Sequence, residues 1–152
     1  MKSLISIIVL SILLISCGFK PIYGTKNSSF EIVKISNKNK NKNSFSIEKM
    51  IMSLSNEDAE RKVKIDLDFK KNITTILKDS KGDPSKKKLS INVNLEVKNE
   101  INNVLTKKNF TEEFSYNVQS DKFNMAQYEE NITENLSNKI SNDIIFLLGT
   151  IE

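Results

Sequence analysis

The chain has 152 residues, with 23 Lys and Arg against 19 Asp and Glu and a formal net charge of +4. It contains no His, no Trp and one cysteine, Cys17, which excludes Ser-His-Asp and Cys-His catalysis, zinc sites built on His or Cys, and an internal disulfide. The mild positive charge is spread as Lys among Asn, Ser and Glu without any nucleic-acid motif, so the expected partners include no nucleic acid.

Lys2 is followed by an apolar run from Leu4 to Ile15, interrupted only by Ser6 and Ser11. A charged start, a short apolar middle and a small residue are the layout of an export signal. A run of about a dozen residues is short of the ~20 that a transmembrane helix needs. Ser16 before Cys17 reads as a lipobox. Cleavage there leaves the Cys17 thiol at the new N-terminus to carry a diacylglycerol through a thioether. Stable anchoring takes more than one acyl chain, which a triacylated cysteine supplies. The alternative is an uncleaved signal anchor with an incidental cysteine. The chain therefore divides into a signal peptide (1–16), a lipidated tether (17–29) and a single domain (30–152), large enough to hold a core without disulfides.

Phe30 to Ile35 alternates well enough for a first strand. Ser36 to Asn43 is a polar run expected to form a mobile loop; Lys38, Lys40 and Lys42 within it suit a solvated loop better than a phosphate site. Ser44 is an N-cap candidate, and Ile47, Met50, Ile51 and Leu54 make one apolar helical face ending near Asn56. From Lys62 the period becomes two. Val63, Ile65, Leu67 and Phe69 lie on one face, and Lys62, Lys64, Asp66, Asp68 and Lys70 on the other. Asp66 and Asp68 sit between lysines, which favours paired surface charges over a catalytic carboxylate pair. The alternation continues weakly through Ile73, Thr75 and Leu77 into the turn residues Asp79 to Pro84.

Lys86, Lys87 and Lys88 come next, expected at a basic hairpin tip. Leu89, Ile91, Val93, Leu95 and Val97 then alternate with polar residues as the returning strand. After a turn at Asn102-Asn103, a third strand of this series runs to Val118 with Phe110, Phe114, Tyr116 and Val118 in phase. Glu112 breaks that pattern and predicts a bulge or a late strand start. Ser120 or Asp121 caps a last helix. Its stripe is Tyr128, Ile132, Leu136, Ile140, Ile144 and Leu148, joined by Phe123, Met125, Ala126 and Leu147. Packing on the sheet is the ordinary use of such a stripe; a coiled-coil seam or a membrane-surface helix is the alternative.

The order strand, helix, three strands, helix predicts an α+β two-layer sandwich. It has a three- to four-stranded, mostly antiparallel sheet covered on one face by two helices. The four glycines are scattered, so no glycine-rich phosphate loop exists, and no acidic pair sits in an apolar context. The chain is not expected to be an enzyme or to hold a metal or cofactor.

Cys-Gly-Phe-Lys-Pro-Ile-Tyr-Gly at 17–24 closely resembles the mature start of the alphaproteobacterial-type LPS-assembly lipoproteins, the LptE family, which typically begin Cys-Gly-Phe-x-Pro-Leu-Tyr. Ser115-Tyr116-Asn117-Val118 is similar to that family's Ser-Tyr-x-Val segment. Asp83-Pro84-Ser85-Lys86 is a looser match to a turn reading Asp-x-Thr-x-Arg, with Lys in place of Arg and an added proline. The resemblance implies a lipoprotein of the outer membrane's inner, periplasm-facing leaflet. Such a protein plugs a large β-barrel, the LPS-assembly protein LptD, and helps deliver lipopolysaccharide to the cell surface. Gly18 after the lipidated cysteine is compatible with outer-membrane sorting. Lys86, Lys87 and Lys88 are the candidates for lipopolysaccharide phosphates, Lys acting there as a point charge. A different reading keeps the fold and changes the partner: an envelope-scaffold or lipid-binding lipoprotein.

Overall fold

The computed structural model describes residues 28–151. The signal segment, Cys17 and the tether up to residue 27 lie outside the described residues. Strand β1 (Phe30–Asn37) leads into helix α1 (Lys42–Met52). Three long strands follow, β2 (Arg61–Lys78), β3 (Pro84–Asn99) and β4 (Val104–Asn117), and then helix α2 (Lys122–Gly149). The four strands lie side by side in chain order. β1 runs parallel to β2, with Phe30 opposite Arg61, and α1 supplies the crossover that a parallel pair requires. β2 with β3, and β3 with β4, are antiparallel. The result is the expected α+β layout of a four-stranded sheet with two helices.

The alternation in β2 and β3 sets the core. Val63, Ile65, Leu67 and Phe69 face the helices, and Leu89 to Val97 face them from the neighbouring strand, all nearly inaccessible to solvent. Ile47 and Ile51 of α1, with Ile132, Ile140, Ile144 and Leu148 of α2, close over them. Beside the aliphatic row of α2 runs a second buried row, Thr133, Ser137 and Ser141. Each hydroxyl donates to the carbonyl one turn back: Thr133 to Glu129 (2.6 Å), Ser137 to Thr133 (2.7 Å) and Ser141 to Ser137 (2.9 Å). Burial therefore leaves no unpaired hydroxyl in this row.

Several expectations are corrected. Asn41, not Ser44, caps α1. Its side chain accepts from Ser44 N (2.9 Å) while Ser44 Oγ accepts from Asn41 N (2.8 Å), a reciprocal capping box. The helix ends at Met52, short of Asn56. Half of the polar stretch 36–43 belongs to the end of β1 and the start of α1, which leaves a four-residue link, 38–41. The link between them is tied to β2 by Lys38 N donating to Leu67 O (3.0 Å) and Asn39 Nδ2 to Asp68 Oδ1 (2.6 Å). Glu112 marks no bulge: the β3–β4 register is unbroken from Lys86↔Asn117 to Val97↔Thr106. Glu112 lies in phase on the helix face, where it accepts from Lys139 of α2 at 2.7 Å. Within the α2 stripe, Ala126 is exposed, Phe123 is 78% exposed and Tyr128 37%.

Asp121 is the N-cap of α2, accepting from Phe123 N (2.9 Å) and Asn124 N (3.1 Å). Asp121→Ala is expected to cost about 1 kcal/mol. In urea denaturation the midpoint falls while the slope is unchanged.

Candidate functional site

The three lysines singled out in the sequence lie inside β3, not at the hairpin tip. Lys86 is opposite Leu77 and Asn117, Lys87 opposite Thr75 and Tyr116, and Lys88 opposite Thr74 and Ser115. Strand alternation separates them. Leu89 faces the core, so Lys87 shares the helix face and Lys86 and Lys88 point to the open face. Lys87 Nζ sits 3.5 Å from Glu129 Oε1. The same carboxylate oxygen accepts the Tyr116 hydroxyl at 2.6 Å, and the Tyr116 ring meets Tyr128 edge-on at 5.9 Å. Burial first, and then the Glu129 bond, hold the Tyr116 phenol well above its ordinary pKa. Lys88 is paired with Glu113 at 2.9 Å. Lys86 has no ion pair among the described residues.

The tip itself is built by Asp79. Its backbone N donates to Asp83 O (2.8 Å), and its side chain accepts from Lys81 N and Asp83 N, both at 2.9 Å. Gly82 takes φ +90°, a left-handed conformation that glycine adopts without strain. Residues from Lys70 to Lys78 are exposed without exception: β1 stops opposite Leu67, and among the described residues no strand pairs with the β2 edge beyond it. This projecting end carries Lys78 and Lys81 at the turn and Lys86 opposite Leu77, with Ile76 and Leu77 exposed and register shifts on either side of Leu77. Sequence reading missed Lys78 and Lys81 as companions of Lys86. Their signal was the turn chemistry between them, which makes one hairpin end of all three.

The open face of the sheet is polar. In its middle, Asn92 Nδ2 donates to Thr111 Oγ1 (2.8 Å), and Asn109 Nδ2 donates to Asn94 Oδ1 (2.6 Å) and Asn92 Oδ1 (2.8 Å). Beside this ladder, Lys98 lies between Asp66 (2.6 Å) and Glu96 (3.1 Å), and Lys107 reaches Glu96 at 3.5 Å. The Lys98 ammonium, hydrogen-bonded to Asp66, holds that carboxyl below its usual range despite some desolvation. Asp68 is 3.5 Å from Lys70. Asp66 and Asp68 are thus paired surface charges, the arrangement expected of carboxylates alternating with lysines. Among the described residues no cluster of His, Cys, Asp or Glu is placed to hold a metal, and no helix is long and apolar enough to cross a membrane.

The fold is one found in bacterial lipoproteins. Rare lipoprotein B from Shewanella oneidensis matches with a TM-score of 0.63 at 10% identity, over 79% of this chain and 94% of that one. Lipoprotein B from Nitrosomonas europaea matches with a TM-score of 0.54 at 15% identity, over 77% and 83%. A minor lipoprotein from Acinetobacter baumannii matches with a TM-score of 0.54 at 10% identity, over 77% and 90%. At these identities the likeness is one of fold. No family model matches the sequence, and no curated protein does.

Proposed function

We propose that the chain is a lipid-anchored outer-membrane protein without enzymatic activity that partners the β-barrel LptD and assists lipopolysaccharide transport to the cell surface. The observation that carries this reading is the coincidence of two independent features. The octet 17–24 has the form of an LptE-type mature N-terminus, and the domain behind it shares the fold of rare lipoprotein B. The polar open face supports it further, since a plug in a barrel lumen must present wettable surface to polar walls.

The hairpin end supports a role toward an anionic lipid. Phe30, nearest the anchor in sequence, registers with Arg61 at one end of β2, whereas the basic hairpin ends the 18-residue strand at the other. At about 3.3 Å per residue these ends are roughly 55–60 Å apart. The phosphate-binding end at Lys78, Lys81 and Lys86 thus lies far from the end of the sheet at which the described chain enters, with Ile76 and Leu77 offering apolar contact beside the charges. Lys88 and Lys87 are engaged by Glu113 and Glu129 and serve the fold first.

The test is lipopolysaccharide binding by the full chain in mild detergent. Replacing Lys78, Lys81 and Lys86 together by Glu is expected to weaken binding at least tenfold and to flatten its salt dependence. Dephosphorylated lipopolysaccharide should bind the parental chain as poorly. Unchanged affinity in the triple variant overturns the assignment of the hairpin end.

A further inference from the structure

The sheet has two outer strands. The free side of β1 is blunted: Ile32 N donates to Ser55 Oγ (2.8 Å) and Phe30 O accepts from Asn56 N (3.2 Å). β4 has no such cover. Among the described residues, its backbone makes no hydrogen bond outside the ladder to β3. It contains neither Pro nor Gly and stays in register from Thr106 to Asn117. A straight, unpaired strand edge is a template for another extended backbone unless something opposes it.

The side chains on this edge select the occupant. The middle of β4 reads Lys107-Lys108-Asn109-Phe110-Thr111-Glu112-Glu113, which is charge-complementary to its own reverse about Phe110. We infer that β4 pairs antiparallel with β4 of a second copy of this chain, about a two-fold axis at Phe110. Lys107 then stands opposite the partner's Glu113 and Lys108 opposite the partner's Glu112, each pair occurring twice by symmetry. The faces agree. Lys108 and Glu112 lie on the helix side with Phe110, and Lys107 and Glu113 on the open side, so each lysine meets its carboxylate across the strands.

Charge also fixes direction and register. A parallel, in-register pairing sets Lys against Lys and Glu against Glu. Moving the axis to Asn109 or Thr111 leaves Lys107 and Lys108 opposite uncharged residues or beyond the carboxylates. Among the described residues Lys108 has no carboxylate partner within one copy and rests over the Phe110 ring at 5.3 Å. On the open face Lys107 lies 3.5 Å from Glu96 and Glu113 2.9 Å from Lys88, surface pairs that are exchanged for the Lys107–Glu113 contact between copies. Glu112 uses a single oxygen toward Lys139. Phe146, 76% exposed, and Phe114, 44% exposed, flank the same edge on the helix side and face the partner's matching seam in this arrangement. The inference concerns the chain free of a barrel: a copy seated as a single plug in a barrel lumen, as proposed above, has exchanged this pairing for the barrel.

The test uses the full chain in density-matched mild detergent, with mass measured by sedimentation. The parental chain is expected to sediment as two copies. K107E/K108E and E112K/E113K each place like charges across the axis, and each should weaken self-association at least tenfold. An equimolar mixture of these two variants restores complementarity and should form a pair containing one of each, which also shows that both variants fold. A parental chain that stays single overturns the inference. So does self-association that survives in both variants, or failure of the mixture to pair when the parental chain does.

Discussion

Leu95→Ala is expected to be among the most destabilising single substitutions in this chain, lowering the unfolding free energy by about 2–5 kcal/mol. Leu95 lies in β3, directly opposite Leu67, and has no solvent exposure. β3 is central in the sheet and meets strands on both sides, so the backbone cannot move inward to fill the space left by the removed methyl groups. The loss then includes a cavity as well as the transfer energy of the deleted atoms. A domain of this size should melt roughly 10 °C lower for a loss of about 3 kcal/mol, read by circular dichroism against the parental chain. Replacing Ser90, on the open face one strand position from Leu89, should change little by comparison.

The second large effect concerns the anchor. Cys17→Ala is expected to abolish incorporation of labelled palmitate and to shift the protein from the membrane fraction to the soluble envelope fraction. The reasoning is chemical: without the thiol no thioether forms, and the buried methylenes of the acyl chains, each contributing about 0.8 kcal/mol, are lost together. Fractionation with palmitate labelling checks it. Retention of the variant in the membrane, uncleaved, would instead support a signal anchor formed by residues 1–16.

The parts of the fold legible in the sequence were those where one face is buried and the other wet. β2 and β3 show strict two-residue alternation because a core covers one side of each, and the structure follows that alternation residue by residue from Val63 to Phe69 and from Leu89 to Val97. The same rule, carried back from Leu89, separates Lys87 from Lys86 and Lys88. Treating the three lysines as a cluster overlooked it. Glu112 was misleading for a related reason. It occupies a core-phase position, but at an outer strand a charged side chain reaches Lys139 at the rim without being buried. The row Thr133, Ser137 and Ser141 escaped notice because hydroxyl residues read as polar. In a helix they are satisfied by the carbonyl one turn back and tolerate full burial.

Other features depend on partners distant in sequence. Nothing in Phe30 to Asn37 announces that β1 pairs parallel to β2, since local pattern carries no strand direction. The capping of α1 was ambiguous because Asn41 and Ser44 both suit a cap. In the folded chain each bonds the other's backbone, and the backbone conformation puts Asn41 outside the helix. Phe114 and Phe123 fall in the apolar pattern of their elements yet are exposed, because periodicity alone does not locate where the cover of the core ends.

The measurement that tests the central claim most directly is a pull-down of the tagged, lipidated chain from mildly solubilised outer membranes, with identification of what accompanies it. The account predicts a large outer-membrane β-barrel of the LptD kind at near-equal stoichiometry, retained through washing and lost when the folded domain is disrupted by Leu95→Ala above its melting temperature. Recovery of the chain without any barrel, with lipidation at Cys17 confirmed, would contradict it and leave a lipoprotein of this fold serving a different envelope partner.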